Sequence, residues 1–151
     1  MDFELSDDQV ALQDAARELL DGYASPAQVR TGIDAGGGLD TKLWAAMIDQ
    51  GWPGIAVPES MGGLGLGLVE VAVLLEQVGS HVAPAPVLQQ VVALDALVRS
   101  HTAGGDDHAT IAGWIEGLVA GTAAATVAST PVAARPTPRG WLLSGSTEDK
   151  K

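Results

Sequence analysis

Residues 51–67 read GWPGIAVPESMGGLGLG, and this stretch constrains the fold more than any other in the chain. It joins two segments of helical pattern and is too long and irregular for a simple turn. Its first half, from Trp52 to Val57, is apolar with prolines at 53 and 58. Its second half alternates glycine with leucine, and glycine recurs at 51, 54, 62, 63, 65 and 67. Such a segment must visit backbone conformations that other residues resist. Long loops with fixed apolar content are functional or tightly packed more often than not. The expectation is therefore a loop folded against the helical body, with Gly63 or Gly65 at angles side chains avoid. Part of its backbone is expected to lie bare for a ligand or a neighbouring chain.

The flanking pattern is helical as far as residue 119. Ser6 with Gln9 predicts a capping box for a first helix over residues 7–21, ended by Gly22. Asp7 and Asp8 sit where the helix dipole favours negative charge. Leu12, Ala15, Ala16, Leu19, Leu20 and Tyr23 recur at helical spacing and predict its buried face. Ser25-Pro26 starts a short second helix, with proline at its first position. Residues 31–39, carrying Gly36-Gly37-Gly38, read as a loop. Asp40 caps a third helix with Leu43, Trp44, Met47 and Ile48, closed by Gly51. A fourth helix covers residues 68–78, with Leu68, Val71, Ala72, Leu75 and Val78 as its stripe and Gly79 as its stop. A fifth covers 87–100 and is apolar almost all round, which predicts the most buried element. A sixth covers 108–119, with Ile111, Trp114, Ile115 and Leu118. Beyond residue 120 the residues turn small and β-branched. Thr126-Val127-Ala128 and Trp141-Leu142-Leu143-Ser144-Gly145 read as strands, with residues 135–140 as the turn between them. The fold class is thus mainly α. Residues 1–119 are expected to form a helical domain, and residues 120–151 an incomplete β segment or a tail.

Composition removes several function classes. The chain has 151 residues, enough for one ordinary core, and 46% are hydrophobic. The formal net charge of −11 argues against nucleic acid and against an anionic membrane surface. There is no cysteine, so disulfide and thiolate chemistry are excluded, and we expect a cytoplasmic location. The acidic start MDFELSDD does not read as a signal peptide, and no run is apolar for long enough to span a bilayer.

The order of features resembles the amino-terminal part of the flavin-dependent acyl-CoA dehydrogenases. MDFELSDDQVALQDAARELL is similar to that family's opening helix. LWAAMIDQGWPGIAVPESMGGLGLGLVEVAVLLEQVG is similar to its helix–loop–helix, with the P-E-x-x-G-G-x-G pattern at Pro58, Glu59, Gly62, Gly63 and Gly65. GWLLSG at residues 140–145 resembles a strand of its β-domain. The resemblance implies a helical bundle in an FAD-dependent oxidoreductase of lipid metabolism, which removes hydrogen from the α and β carbons of an acyl-CoA thioester. It also implies a homo- or hetero-oligomer of dehydrogenase subunits. Two departures bear on activity. Val127-Ala128-Ser129-Thr130 runs straight into Pro131-Val132, without the acidic, glycine-containing segment that lies beside the flavin in the family. Family members are also far longer, and their carboxylate base lies in a carboxy-terminal domain. The chain is therefore expected to be inactive by itself and to hold no flavin alone. The alternative reading is a non-catalytic helical interaction module that binds a related dehydrogenase chain.

No residue reads as catalytic or metal-binding, and the resemblance leaves the cofactor-binding residues unassigned. Glu59 is the one acid in the central loop and reads better as a brace than as a base. Glu70 and Glu76 read as solvated or interface groups. The glycines of residues 62–67 lack the Lys-Ser/Thr of a phosphate loop and the third glycine of a dinucleotide fingerprint, so they read as packing and substrate wall. His81, His101 and His108 lack metal spacing and read as surface or helix-end residues. Trp44, Trp52 and Trp114 read as core. The fifth helix reads equally as plain core or as the lining of an acyl pocket.

Overall fold

The computed structural model describes residues 4–104, 107–127, 132–138 and 140–145. Six helices carry the fold: α1 (Asp7–Tyr23), α2 (Pro26–Asp34), α3 (Thr41–Asp49), α4 (Leu68–Ser80), α5 (Val87–Ala103) and α6 (His108–Val119). Two single-turn helices, Trp52–Gly54 and Glu59–Met61, lie in the central loop. An antiparallel pair follows, β1 (Ala133–Thr137) and β2 (Gly140–Ser144), in register from Ala133 opposite Ser144 to Thr137 opposite Gly140. The mainly helical fold with a small sheet is the one the sequence predicts.

Local chemistry explains the helix ends. The Gln9 N–H donates to Ser6 Oγ at 3.3 Å and the Ser6 N–H to Gln9 Oε1 at 3.0 Å, so the capping box at α1 is formed. Asp40 Oδ1 accepts from the N–H groups of Lys42 and Leu43, at 2.9 and 3.0 Å, which caps α3. Gly51 follows α3 at φ +74°, the left-handed stop that glycine makes without cost.

α1 and α4 run parallel and are tied at both ends. Near their starts the Gln9 side-chain amide donates to Glu70 Oε1 at 2.7 Å. Near their ends His81 Nε2 lies 3.2 Å from Asp21 Oδ1. One core cluster fills the space between α1, α3 and α4 with Ala16, Leu20, Leu43, Trp44, Met47, Val71 and Leu74, joined by Trp52 and Ile55 of the loop. A second joins Leu94 of α5 to Ile115 and Leu118 of α6, with Val57 of the loop. The loop is thus shared between the two clusters. Burying Trp52, Ile55 and Val57 contributes about 1.5–3 kcal/mol each as an upper bound.

Several sequence expectations are corrected. α1 continues past Gly22 to Tyr23, α2 extends to Asp34 inside the expected loop, and α4 passes through Gly79 to Ser80. Isolated glycine in a helix is tolerated where tertiary packing outweighs propensity. The buried face of α4 is Val71, Val73, Leu74 and Gln77, while Leu68 is 82% exposed. α5 is not buried all round: Val87, Gln90, Ala93 and Leu94 point inward, and Leu88 and Val92 stand open. Trp114 is 58% exposed and not core, unlike Trp44 and Trp52. On α1, Ala15 and Tyr23 are exposed. Arg135, Pro136 and Thr137 belong to β1 and are not a turn. Thr126 and Val127 form no strand, and Ala128 lies outside the described residues, as do Ser129, Thr130 and Pro131.

Candidate functional site

The central loop folds back on itself. After Pro58 a single helical turn and a left-handed Gly62 (φ +85°) reverse the chain, and residues 64–66 run back along residues 54–57. The Leu64, Gly65 and Leu66 N–H groups donate to the carbonyls of Gly54, Val57 and Ile55, at 3.0, 2.8 and 2.9 Å. Gly65 sits at φ +64°, as expected for one of the two central glycines. Gly63 has a different reason to be glycine. Its φ is negative, but an added Cβ would fall against the Val57 carbonyl oxygen and 2.6 Å from that of Gly54. The two limbs touch there, backbone to backbone.

The fold-back uses up the donors of the loop's second half. The Met61, Gly62 and Gly63 N–H groups reach the carbonyls of Pro58, Glu59 and Pro58 at 2.8, 3.0 and 3.2 Å. The Gly67 N–H donates to Glu70 Oε2 at 2.9 Å. Every N–H from residue 61 to residue 67 is therefore engaged within the loop and its following helix. The expectation of bare backbone therefore fails for the N–H groups of residues 61–67. A phosphate nest requires convergent free N–H groups or cations, and residues 61–67 have no N–H group left over to offer one. The pyrophosphate of a flavin dinucleotide therefore does not fit this glycine-rich limb.

Glu59 is exposed, and its carbonyl accepts from the Gly62 N–H while its side chain lies over Gly65. That is the geometry of a brace. Glu70 is not a merely solvated acid: one oxygen takes the Gly67 N–H, the other the Gln9 amide. The Gln9 hydrogen bond, with backbone donors, holds its carboxyl below the ordinary value.

A shallow cleft of about 510 Å³ lies beside the loop, bounded by Ile48, Gln50, Met61, Leu64 and Glu116. A second, of about 380 Å³, lies beyond Met61 and Gly62 and is bounded by Ser60, His101, Ile115 and Glu116. Pro58, Glu59, Gly62, Gly63 and Gly65 thus fall in one compact unit that borders both clefts. Glu116 and His101 were not singled out beside the loop; they come from α5 and α6, far away in sequence, and no local pattern marks them. The rings of His101 and His108 stack with centroids 3.6 Å apart. No cluster of metal-ligating side chains occurs among the described residues. No described helix is long and apolar enough to cross a membrane.

Sequence reasoning also missed Gln90. It is fully buried on α5, where its amide donates to the Leu118 carbonyl at 2.9 Å and its oxygen accepts the Ala125 N–H at 2.8 Å. It fixes the course of the chain leaving α6.

Comparison with known proteins decides the lineage of this loop and its helices. The profile of the "Acyl-CoA dehydrogenase, N-terminal domain" family matches residues 6–107. The chain belongs to the acyl-CoA dehydrogenase family. Among curated relatives, acyl-CoA dehydrogenase IpdE2 of Mycolicibacterium smegmatis is 33% identical over 95 residues, covering 62% of this chain and 30% of the relative. Acyl-CoA dehydrogenase FadE27 of Mycobacterium tuberculosis is 31% identical over 153 residues, covering 97% of this chain and 40% of the relative. Among solved structures, the ChsE4–ChsE5 complex from Mycobacterium tuberculosis superposes with a TM-score of 0.80 at 31% identity, covering 96% of this chain and 40% of the other. A variant of the Tcur3481–Tcur3483 steroid ACAD gives 0.74 at 32% identity, covering 91% and 39%. The chain spans no more than about 40% of the length of these acyl-CoA dehydrogenases.

Proposed function

We propose that this chain supplies the N-terminal helical domain, residues 1–119, of a flavin-dependent acyl-CoA dehydrogenase. Residues 120–151 would begin its β-domain. The observation that carries this reading is the family match over residues 6–107, in which the whole central loop is included. The loop formed by Pro58, Glu59, Gly62, Gly63 and Gly65 acts as a rigid wall against which an acyl-CoA substrate is positioned. FAD, when bound in the complete enzyme, accepts the hydrogen removed from the acyl chain. This chain's own share is to position the substrate and exclude water, and it is inactive alone.

Three features support the need for a partner surface. The N–H groups of residues 61–67 are spent internally, so the glycine-rich limb offers a flavin no donor. Leu68 and Val69 at the start of α4, and Leu88 and Val92 on α5, stand open to solvent. The described residues of β1 and β2, setting aside the Trp141 side chain, are exposed, and a two-stranded ribbon of this kind is marginal alone. Completion by dehydrogenase subunits, in a homo- or hetero-oligomer, covers such surfaces. Two of the structural relatives bear paired names, which fits a mixed assembly.

The test is spectroscopic. The chain is purified without cofactor, then mixed with excess FAD and a medium-chain acyl-CoA, alone and with a candidate partner subunit. The expected result is no retained flavin for the chain alone, and a yellow complex bleached by acyl-CoA with the partner. A stoichiometric flavin band bleached by acyl-CoA in the chain alone would refute the division of labour. A colourless complex with the partner would replace the reading by a non-catalytic interaction module.

A further inference from the structure

A third cleft, of about 700 Å³, lies at the other end of α4 from the central loop. It is walled by α2, by residues 35–40 before α3, and by the α4–α5 link. α4 has 13 residues, so the loop at its start and the cleft at its end stand about 20 Å apart. Tyr23, Ile33, Leu39 and Val82 are exposed apolar or aromatic side chains in four different segments, yet all four line this cleft. Val29 and Val78 complete the apolar wall. Val82 takes φ +49°, the left-handed region that a β-branched residue avoids, and it is the one such non-glycine residue among those described. Strain of this kind persists where the surroundings enforce it, and it collects at ligand sites.

The cleft is built, not a gap between loose ends. The Asp40 N–H donates to the Pro84 carbonyl at 3.1 Å and joins the two opposing walls. The Gln28 amide donates to the Gly22 carbonyl at 3.1 Å, and the Ser25 N–H to Gln28 Oε1 at 2.9 Å, which fixes α2. His81 is held by Asp21 and by the Gln77 carbonyl, at 3.2 and 2.8 Å.

We propose that this cleft binds an uncharged, largely aliphatic or alicyclic small molecule carrying one hydrogen-bonding group. The volume lies within the range of small-molecule sites, and an apolar wall with few polar groups is their usual composition. The charge pattern selects the occupant. None of the lining residues is Lys or Arg, so an anionic ligand finds no partner. Asp40 is the one charged residue in the lining, and its Oδ1 is already occupied in capping α3. A second copy of the chain brings a net charge of −11 against the same charge. The Tyr23 phenol, in the lining, supplies the polar end. This site is independent of the dehydrogenase reading, and its test uses neither flavin nor acyl-CoA.

The test titrates the full chain with Nile red, an uncharged fluorescent dye, and then displaces the dye with 1-decanol or decanoate. Saturable binding near one dye per chain is expected, with 1-decanol displacing it about tenfold better than decanoate. Ile33→Asp and Leu39→Asp, at exposed positions, should each weaken dye binding about tenfold or more, because a carboxylate in an apolar wall must be desolvated. Val10→Asp and Val127→Asp, exposed and away from the cleft, should leave it unchanged; circular dichroism checks that all four variants fold. Absence of saturable binding overturns the proposal, and so does equal weakening by the two control variants. Equal displacement by decanoate overturns the uncharged class. A change of oligomeric state in the Ile33 and Leu39 variants, seen by sedimentation, would make the cleft an interface between copies instead.

Discussion

Gly63→Ala is the sharpest perturbation available in the central loop. The substitution adds one methyl group and no strain in φ, since the Gly63 φ is negative. Its cost is purely one of space. The new Cβ would meet the Val57 carbonyl oxygen, the Val57 Cβ at 2.5 Å and the Gly54 oxygen at 2.6 Å. Two of these are backbone atoms in a segment whose neighbours are almost fully buried, Ile55 at 1% and Val57 at 3% exposed. They cannot swing aside as a side-chain tip would. The returning limb must lift by about an ångström, and the three hydrogen bonds from residues 64–66 to residues 54, 57 and 55 lengthen or break. At about 1 kcal/mol each, the loss is about 3 kcal/mol before any unpacking of Val57. For a domain of this size that lowers the thermal midpoint by about 10 °C. Gly65→Ala is the control. There φ is +64° but the nearest atom is Glu59 Cγ at 3.4 Å, an ordinary contact, so only the left-handed penalty of about 1 kcal/mol applies. Urea unfolding followed at 222 nm measures both variants. Gly63→Ala costing no more than Gly65→Ala would refute the argument that the two limbs touch through backbone.

Gln90→Leu should cost about 1–3 kcal/mol, because it strands the Ala125 N–H and leaves the Leu118 carbonyl with the Gly121 N–H at 3.2 Å, and hydrogen exchange at the Ala125 amide should accelerate. Val82→Gly should raise the thermal midpoint by roughly 2–4 °C, since it relieves a left-handed valine whose side chain is 70% exposed; a differential melt against wild type reads it. For Glu70 the folded pKa is lowered, so its contribution to stability is present above the ordinary value of 4.5 and fades as pH falls through the folded value. Gln9→Ala should move the Glu70 carboxyl upward toward 4.5 in a carbon-detected NMR titration and remove that part of the acid sensitivity.

Helix existence and type were legible from periodicity, and the caps at Ser6, Asp40 and Gly51 from single residues. What escaped were facts set by tertiary neighbours. Leu68, Trp114, Leu88 and Val92 look like core because the sequence records their apolarity and not which face has a neighbour. Gln90 looks like an interruption in an apolar helix, yet it is one of the most buried residues, because two backbone groups distant in sequence need its amide. β1 was read as a turn since Arg135-Pro136-Thr137 has turn chemistry, which cross-strand pairing with residues 140–142 overrides. At the candidate site, the residues from Pro58 to Gly65 lie in one loop, as their spacing in the sequence dictates. Its internal use of every donor from residue 61 to residue 67 depends on where the chain reverses, and that is written in φ angles and not in residue type.

The parallel pairing of α1 and α4 has a mechanical consequence. Polar ties at both ends, Gln9 to Glu70 and Asp21 to His81, fix the register of one helix on the other. A slip of one turn, about 5.4 Å, breaks both ties at once, so sliding is suppressed while a small roll about the shared axis is not. The central loop sits at one end of this pair and the apolar cleft at the other. A molecule that wedges the cleft open therefore cannot push the loop along the helix axis. It can act on the loop only by rotating α4, which would turn Glu70 away from the Gly67 N–H and loosen the loop at the point where it meets the helix.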